Sequence, residues 1–364
     1  MEAARLTRDA WRRAGRGLCG GLALFWAGLP ALALNDTDWL YVAEQPVAAQ
    51  SDAERKRAAS EGLLTVLRRL TGLVSVPRNE QIKAALANPD VYYNRFVFFT
   101  RQLPGGIEQR YLKVTYQATA IQSLLRQADL PVWWSKRPTV MAWVVLDTSG
   151  ERQILDSATS HPLVAALRDR AQVRGLPSTL PLMDLDDSLA VSAADVWGKV
   201  GQSLDAASRR YDADIVLVGR ITRNPGFLLT SQPYRGDWEA WIDGRPLAEN
   251  FSAATAEEAA QLGIDMIADR LAEQYAVLPR QLQVARLAVA GLEDTASYAA
   301  CMDYLERLEF IDRVAVTALT PAAVQIAVAS RAQAEQLQML LTVEGRLTLD
   351  LLHRGPYPRF IWQG

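Results

Sequence analysis

A continuous apolar run in the middle of the chain constrains the fold more than any other feature of this sequence. The run reads Val140-Met141-Ala142-Trp143-Val144-Val145-Leu146, and a strand that is apolar on both faces must be covered on both faces. A second strand of this kind is predicted at 214–221, and helical patterns occur at 162–174 and 255–275. Buried strands that alternate with helices predict an α/β sandwich with a mixed sheet over residues 131–279.

The segment before it, residues 34–130, has the pattern of an α+β module. Alternating apolar residues predict a strand at 39–47, and Ser51 is a plausible N-cap for the helix that follows. Two aromatic and β-branched stretches flank Pro104-Gly105-Gly106, which is typical of a hairpin turn. A second helix is predicted at 118–127, so the module has the order β-α-β-β-α.

The last segment, residues 280–364, forms a third module. Between 281 and 352 the patterns follow the order strand, helix, strand, strand, helix, strand, which is the ferredoxin-like order. The tail then contains Gly355-Pro356-Tyr357-Pro358, and because proline cannot donate to a central sheet ladder we expect this tail to pack loosely. The predicted fold class is therefore α/β and α+β, with small modules in series.

The N-terminus has the pattern of a signal peptide, residues 1–33. Five arginines precede the apolar stretch 18–29, and Ala31-Leu32-Ala33 supplies the small side chains that signal peptidase requires. We expect Sec-type export, cleavage between Ala33 and Leu34, and a periplasmic location. The alternative is an inner-membrane signal anchor, since the longer segment 18–34 has about 17 residues, the lower limit for spanning a bilayer.

The composition of the mature chain narrows the possible functions. The whole chain has 39 basic and 41 acidic residues, and the leader holds five of the basic and two of the acidic ones. The mature chain therefore has 34 basic and 39 acidic residues, a net charge of −5. A mildly acidic chain is not expected to bind nucleic acid in general, because that requires a concentrated basic face. Cys301 is then the only cysteine, so no internal disulfide can form, and its apolar neighbours indicate a buried side chain. No later segment is apolar enough to span a membrane.

Asp184, Asp186 and Asp187 are the best candidates for chemistry. They follow the short apolar segment 180–185, where we expect a buried strand, and closely spaced carboxylates can hold a divalent cation or share acid and base roles in a hydrolase. The alternative is a solvated loop in which the aspartates form turns. The sequence favours this alternative, because the remaining ligands and the glycine of a calcium loop are missing.

No catalytic residue or cofactor is predicted elsewhere in the chain. The two histidines, His161 and His353, fall in different predicted modules, and two separated histidines with one cysteine do not make a zinc site. A glycine loop that could cradle phosphate and a nucleophile elbow are both missing from the sequence.

Tryptophans are the second group of candidates. Trp133 and Trp134 lie between prolines, and Trp238 and Trp241 lie on one predicted strand, so these rings could bind a sugar, a peptide or a partner protein. The alternative is packing at a module interface and in the core. A spacing of three places Trp238 and Trp241 on opposite faces of a strand, so at most one of them needs to be in the core.

The chain from 39 to 352 resembles an uncharacterised family of proteobacterial exported proteins, the domain of unknown function two-zero-six-six. Five segments carry the resemblance: Leu70-Thr71-Gly72, 111–116, Leu130-Pro131-Val132-Trp133 through Arg137-Pro138, 142–147 and 238–244. The resemblance implies an exported globular protein and brings no assigned activity.

A shorter stretch, residues 211–220, is similar to the helix-to-strand step of α/β domains in TolB N-terminal regions, penicillin-binding-protein activators and curli-secretion lipoproteins. Those domains bind protein partners or assemble at the envelope. Our leading hypothesis is therefore a non-enzymatic accessory or scaffold protein that binds an envelope protein or assembly through its middle domain. The alternatives are a metal-dependent hydrolase that uses the three aspartates, and a binder of cell-wall fragments in which Trp134 or Trp238 stacks on a sugar ring.

The predicted cleavage can be checked directly. We expect the mature protein to begin at Leu34, because small side chains occupy both recognition positions before it. N-terminal sequencing and intact mass measurement of protein from a cell envelope fraction test this. A chain that still begins at Met1, or a lipid on Cys19, would contradict it.

Overall fold

The computed structural model describes residues 37–103, 105–133, 137–223, 231–242, 244–278 and 281–364. The predicted leader, its cleavage site between Ala33 and Leu34, and Trp134 lie outside these residues. Helices and sheets are mixed throughout the described part, which confirms the predicted fold class. None of the described helices is both long enough and apolar enough to cross a bilayer.

The N-terminal module packs its helices on one face of a three-stranded antiparallel sheet with the order β1-β3-β2. Its elements are β1 (Val42–Pro46), α1 (Asp52–Thr71), α2 (Glu80–Ala87), β2 (Tyr93–Leu103), β3 (Ile107–Tyr116) and α3 (Ala118–Gln127). Ser51 caps α1 as predicted, since its side chain accepts a hydrogen bond from the Glu54 amide. Helix α2 was not predicted, because it buries only Ile82 and Ala85 and has too few apolar positions to show a period.

The middle module is the predicted sandwich around a six-stranded mixed sheet. Its elements are β4 (Val132–Trp133), β5 (Val140–Thr148), β6 (Glu151–Leu155), α4 (Pro162–Arg174), β7 (Ser178–Thr179), α5 (Leu185–Ala190), α6 (Ala193–Gly198), α7 (Gly201–Ser208), β8 (Ile215–Arg223), β9 (Tyr234–Ile242), β10 (Arg245–Ala253) and α8 (Ala256–Tyr275). The strand order is β10-β9-β8-β5-β6, and β7 also pairs with β5. Helices α4 and α8 cover one face, and α5 to α7 cover the other.

The segment before the three aspartates differs from the prediction. We expected a strand at 180–185, but strand β7 ends at Thr179 and helix α5 begins at Leu185. Three short helices, rather than two, then lead to Tyr211. The prediction was wrong because burial stops after Leu180 and Pro181, whereas Leu182 and Leu185 are exposed.

The C-terminal module contains all six predicted elements in the predicted order, and β16 follows them as an additional strand. Its elements are β11 (Ala276–Val277), β12 (Gln283–Ala290), α9 (Thr295–Arg307), β13 (Ile311–Thr320), β14 (Ala323–Ser330), α10 (Ala334–Thr342), β15 (Leu347–Leu349) and β16 (Arg359–Trp362). The sheet has the order β13-β14-β12-β16-β15. Strand β11 pairs instead with β4, which ties the third module to the start of the second.

The prediction of a loosely packed tail is wrong. Strand β16 lies between β12, to which it is parallel, and β15, to which it is antiparallel. Phe360 is fully buried, and Trp362 contacts Tyr304 with the ring centroids 5.7 Å apart. The prolines precede this strand rather than interrupt it, so the missing amide donors fall outside the ladder.

The N-terminal and middle modules meet where helices α1 and α4 both end. Gly72 stops α1 with a φ of +70°, and a Cβ at this position would lie 2.5 Å from the Cβ of Ala272 on α8. Gly175 stops α4 in the same way, directly against Arg69 of α1. The lack of side chains at these two glycines allows the two helix ends to approach closely.

Two arginines exchange hydrogen bonds across this junction. Arg69, in the last turn of α1, donates from Nε to the carbonyl of Gln172 in α4 at 2.7 Å. Arg174, the last residue of α4, donates to the carbonyl of Gly72 at 2.9 Å and forms ion pairs with Asp265 and Asp269 of α8. Each helix C-terminus, which carries partial negative charge, therefore receives a guanidinium from the other helix.

A third buried arginine completes the junction. The guanidinium of Arg137 lies 3.8 Å from the centre of the Trp133 ring and donates to the carbonyls of Arg69 and Trp133. Burial lowers the pKa of Arg137 to about 9 and that of Arg69 to about 10, because a dry site disfavours the charged form. Gly72, Trp133 and Arg137, which belong to segments that carried the family resemblance, thus meet at this junction.

Substitution of Arg174 tests the junction. Arg174→Met leaves the Gly72 carbonyl without its donor and should lower the free energy of unfolding by about 2–4 kcal/mol. Arg170→Met is the matched control, because Arg170 also pairs with Asp265 but is partly exposed and donates to no carbonyl of α1. Its cost should be about 1 kcal/mol. Urea unfolding followed by tryptophan fluorescence measures both, and equal losses would refute the exchange.

Candidate functional site

The three predicted aspartates lie at the start of α5, on the side of the middle sheet that α5 to α7 cover. Asp184 is the N-cap of α5 and accepts a hydrogen bond from the amide of Asp187 at 3.0 Å. Both of its carboxylate oxygens also accept from Arg210, at 2.8 and 2.7 Å. The Arg210 contact, followed by the amide of Asp187, lowers the pKa of Asp184 to about 2.

Asp187 has a fully buried side chain and organises the loop around itself. Its carboxylate accepts hydrogen bonds from the Tyr211 hydroxyl, from the amide of Met183 at 3.0 Å and from Arg210 at 3.0 Å. The Tyr211 oxygen in turn accepts from the amide of Leu182 at 2.9 Å. Burial, together with the bond to Asp187, raises the pKa of Tyr211. Aspartate, arginine and tyrosine therefore fix the conformation of this loop.

These contacts leave little room for metal chemistry at the loop. A cation bound by Asp184 and Asp187 would have to displace Arg210, which already pairs with both carboxylates. Asp186 remains 83% exposed and reaches Arg210 only at 4.0 Å. In the part of the chain that the structure describes, no three His, Cys, Asp or Glu side chains form a group that could hold a metal ion. The geometry agrees with the alternative of turns and caps.

Two of the predicted tryptophans are core residues. Trp133 is buried beneath Arg137 at the module junction. Trp238 is buried in the middle module, where its indole nitrogen donates to the carbonyl of Ala259 at 2.9 Å. Its ring fits only because Gly219 and Gly263 have no side chains, since a Cβ at either one would lie 2.4 Å from the ring. Neither ring is accessible to a ligand in this structure.

Trp241 lies on the opposite face of β9 from Trp238, as its spacing predicts, and is half-buried. It packs on the same apolar cluster as Tyr211 and Trp197. The guanidinium of Arg152 lies 3.9 Å from the centre of the Trp197 ring. The acidic loop and one predicted tryptophan therefore belong to the same face of the middle module.

A polar network lies on strands β8 and β9 beside this aromatic group. Asp237 forms ion pairs with Lys199 at 2.5 Å and with Arg220 at 2.6 Å, and Lys199 also contacts Glu239. Two cations and two carboxylates thus compensate each other, so this network stabilises the face and offers no single unpaired charge for catalysis. No sequence pattern predicts this network, because Lys199 and Asp237 lie far apart along the chain.

The same face carries an apolar surface that the sequence analysis did not identify. Leu182, Leu185 and Leu189 are 56%, 73% and 78% exposed, and we call these three residues the leucine patch. Leu185 and Leu189 lie one turn apart on α5, on the same side of the helix. The spacing of these leucines, three and four residues apart among aspartates, was the sequence pattern from which the patch could have been predicted.

A separate cleft lies between the middle and C-terminal modules. Its volume is about 460 Å³, and it is lined in part by Asp214, Ile242, Tyr275 and Met339. The carboxylate of Asp214 accepts a hydrogen bond from the amide of Thr139 at 2.8 Å, which fixes the start of β8 beside β5. Most of the described side chains that line the cleft are apolar, and Asp214 is the one charged residue among them. The cleft therefore has the character of a boundary between modules rather than of a catalytic centre.

Residues 35–134 match the model of one protein family, described as a domain of unknown function (DUF8605). The match covers the N-terminal module and its link to Trp133, and it agrees with the expected likeness to an uncharacterised family. No curated protein matches the chain.

Two solved structures show weak similarity. One is a crystal structure of an uncharacterized protein, 13% identical, with coverage of 38% of this chain and 96% of that one and a TM-score of 0.14. The other is formyltetrahydrofolate deformylase from Burkholderia mallei ATCC 23344, 14% identical, with coverage of 54% and 89% and a TM-score of 0.14. Values this low support no conclusion about fold or function.

The hydrolase alternative can be tested at the acidic loop. Because Arg210 occupies the carboxylates, calcium, magnesium and manganese should leave the thermal midpoint unchanged. Asp187→Asn should lower the free energy of unfolding by about 1–3 kcal/mol, because a carboxamide cannot satisfy all three donors, whereas Asp186→Ala should have little effect. Differential scanning fluorimetry, with and without each metal, measures the thermal midpoint of the parent protein and of both variants. A metal-dependent increase that Asp186→Ala abolishes would revive the hydrolase.

Proposed function

We propose that this protein is an exported, non-enzymatic accessory protein of the periplasm that binds an envelope protein through the leucine patch of its middle module. The observation that carries the proposal is the exposure of Leu185 and Leu189 on a short, firmly held helix and of Leu182 just before it. Contiguous exposed apolar side chains on a folded module are typical of a partner-binding surface.

The energetics support a protein partner. Burial of a leucine side chain contributes about 1.5–3 kcal/mol, so the patch can supply much of the affinity of a transient complex. The helix that carries it is fixed at its start by Asp184, and Asp187 is held by Arg210 and Tyr211. Binding to this rigid surface would cost little conformational entropy.

The charges beside the patch indicate the chemistry of the partner. Asp186 is largely exposed and only distantly paired with Arg210. The matching surface should therefore combine an apolar pocket with a lysine or arginine at its rim, which would pair with Asp186 and add specificity.

The location is proposed from the sequence. The arginines, the apolar stretch and the Ala-Leu-Ala site at the N-terminus support Sec-type export into the periplasm. The resemblance to exported proteins of the domain of unknown function two-zero-six-six supports the same location. The likeness of residues 211–220 to partner-binding envelope domains supports the proposed role, and this stretch includes Tyr211, which holds the patch in place.

Removal of the patch should remove the partner. In Leu185→Ser/Leu189→Ser, recovery of the principal partner from crosslinked envelope extracts should fall by about tenfold or more. The matched control is Leu351→Ser/Leu352→Ser, because these leucines are equally exposed but lie in another module. Quantitative mass spectrometry of the captured proteins measures recovery. Unchanged recovery in the patch variant, or repeated capture of the protein alone, would contradict the proposal.

A further inference from the structure

The strand edges of this protein are not equally protected against pairing with another chain. Among the described edges, β1 and β6 have five residues each and β15 has three. Strand β10 carries Pro246 as its second residue, and β13 is broken by two register shifts. Short length, proline and bulges are three of the ways in which sheets prevent edge-to-edge association.

Strand β2 has none of these protections over most of its length. It has eleven residues, contains no proline, and pairs with β3 without interruption from Arg95 to Leu103. Its other side has no strand neighbour in the three-stranded sheet. Alternate backbone amides and carbonyls of β2 therefore point away from the sheet and can pair with an incoming strand.

The outer face of β2 offers apolar contacts as well. Leu112 and Val114 of β3 point into the core, so their neighbours Tyr111 and Lys113 mark the outer face. Val97 and Phe99 of β2 lie opposite these two residues and share that face. The rings of Phe99 and Tyr111 stack with centroids 5.6 Å apart, and Val97 is 44% exposed.

The charge of this hairpin indicates the kind of strand that would bind. Residues 93–116 contain four basic residues and one acid, although the whole chain has a net charge of −2. Arg101 and Lys113 both form ion pairs with the same carboxylate, that of Glu44 on β1. In the described structure Arg95 forms no ion pair. An acidic strand would compensate these cations, whereas a second copy of β2 would bring the same cations together.

We propose that β2 accepts an extended, acidic strand of a partner protein, which becomes the fourth strand of the N-terminal sheet. Arg95 and Arg101 lie on one face and are separated by six residues, about 20 Å along the strand. The incoming strand would place acidic side chains opposite both arginines and small apolar side chains opposite Val97 and Phe99. This surface belongs to a different module from the leucine patch and does not depend on it.

A designed peptide tests the proposal on the full mature protein. The probe alternates threonine with the sequence Glu, Val, Val, Glu, so that the four side chains on one face match the four β2 residues. A second peptide replaces both glutamates with lysine. Two further versions of the glutamate peptide carry backbone N-methyl groups. One version is methylated at the threonines, and the other is methylated at the glutamates and valines. Fluorescence anisotropy measures binding of each peptide, and amide hydrogen exchange reports protection along β2.

The glutamate peptide should bind, the lysine peptide should bind about tenfold more weakly or not at all, and higher salt should weaken the complex. Only one of the two N-methylated sets should abolish binding, because only alternate amides face β2. Arg95→Gln/Arg101→Gln should reduce affinity about tenfold with an unchanged thermal midpoint. The matched control Arg307→Gln/Arg354→Gln, on exposed arginines of the C-terminal module, should bind as the parent does.

Several outcomes would overturn the inference. Equal binding of both N-methylated peptides would show that main-chain pairing is not involved. A dimer in sedimentation that requires β2 would assign the edge to a second copy. Binding of a single-stranded oligonucleotide to Arg95 and Arg101, without binding of the acidic peptide, would assign the face to nucleic acid.

Discussion

The exchange of guanidinium groups between the ends of α1 and α4 holds the first two modules in one arrangement. Two helix C-termini bring unpaired carbonyls and partial negative charge into the same dry space, which is unfavourable without donors. Arg69 and Arg174 supply these donors from opposite sides, and Arg137 closes the junction against Trp133. The positions of the β2 edge and the leucine patch on one molecule depend on this junction.

Elements with local signals could be predicted from the sequence. Helix α4 was predicted at its observed bounds, and Thr255 caps α8 as expected, because caps, apolar period and terminal glycine lie within the helix or beside it. The buried strand β5 was equally clear, since its apolar run needs no partner to be recognised. The spacing of Trp238 and Trp241 also gave their opposite faces correctly.

Features that depend on distant residues could not be predicted in this way. The burial of Trp238 depends on the space beside Gly219 and Gly263, which no local pattern reveals. The roles of the aspartates depend on Arg210, which is more than twenty residues away in the sequence. Arg210 donates to both carboxylate oxygens of Asp184, so this side chain serves as a helix cap rather than as a metal ligand. The candidate site was therefore located by its spacing, but its chemistry was determined by partners that only the fold brings together.

Strand β16 has a consequence for how the protein is made. Strand β12 pairs on one side with β16, about 70 residues later in the chain, and contacts over such separations form late. While the chain is still being synthesised, the apolar positions that Phe360 will cover stay open. A module whose sheet closes only when β16 is in place exposes the apolar surface beneath Phe360 for longer than a module whose paired strands are neighbours in the chain.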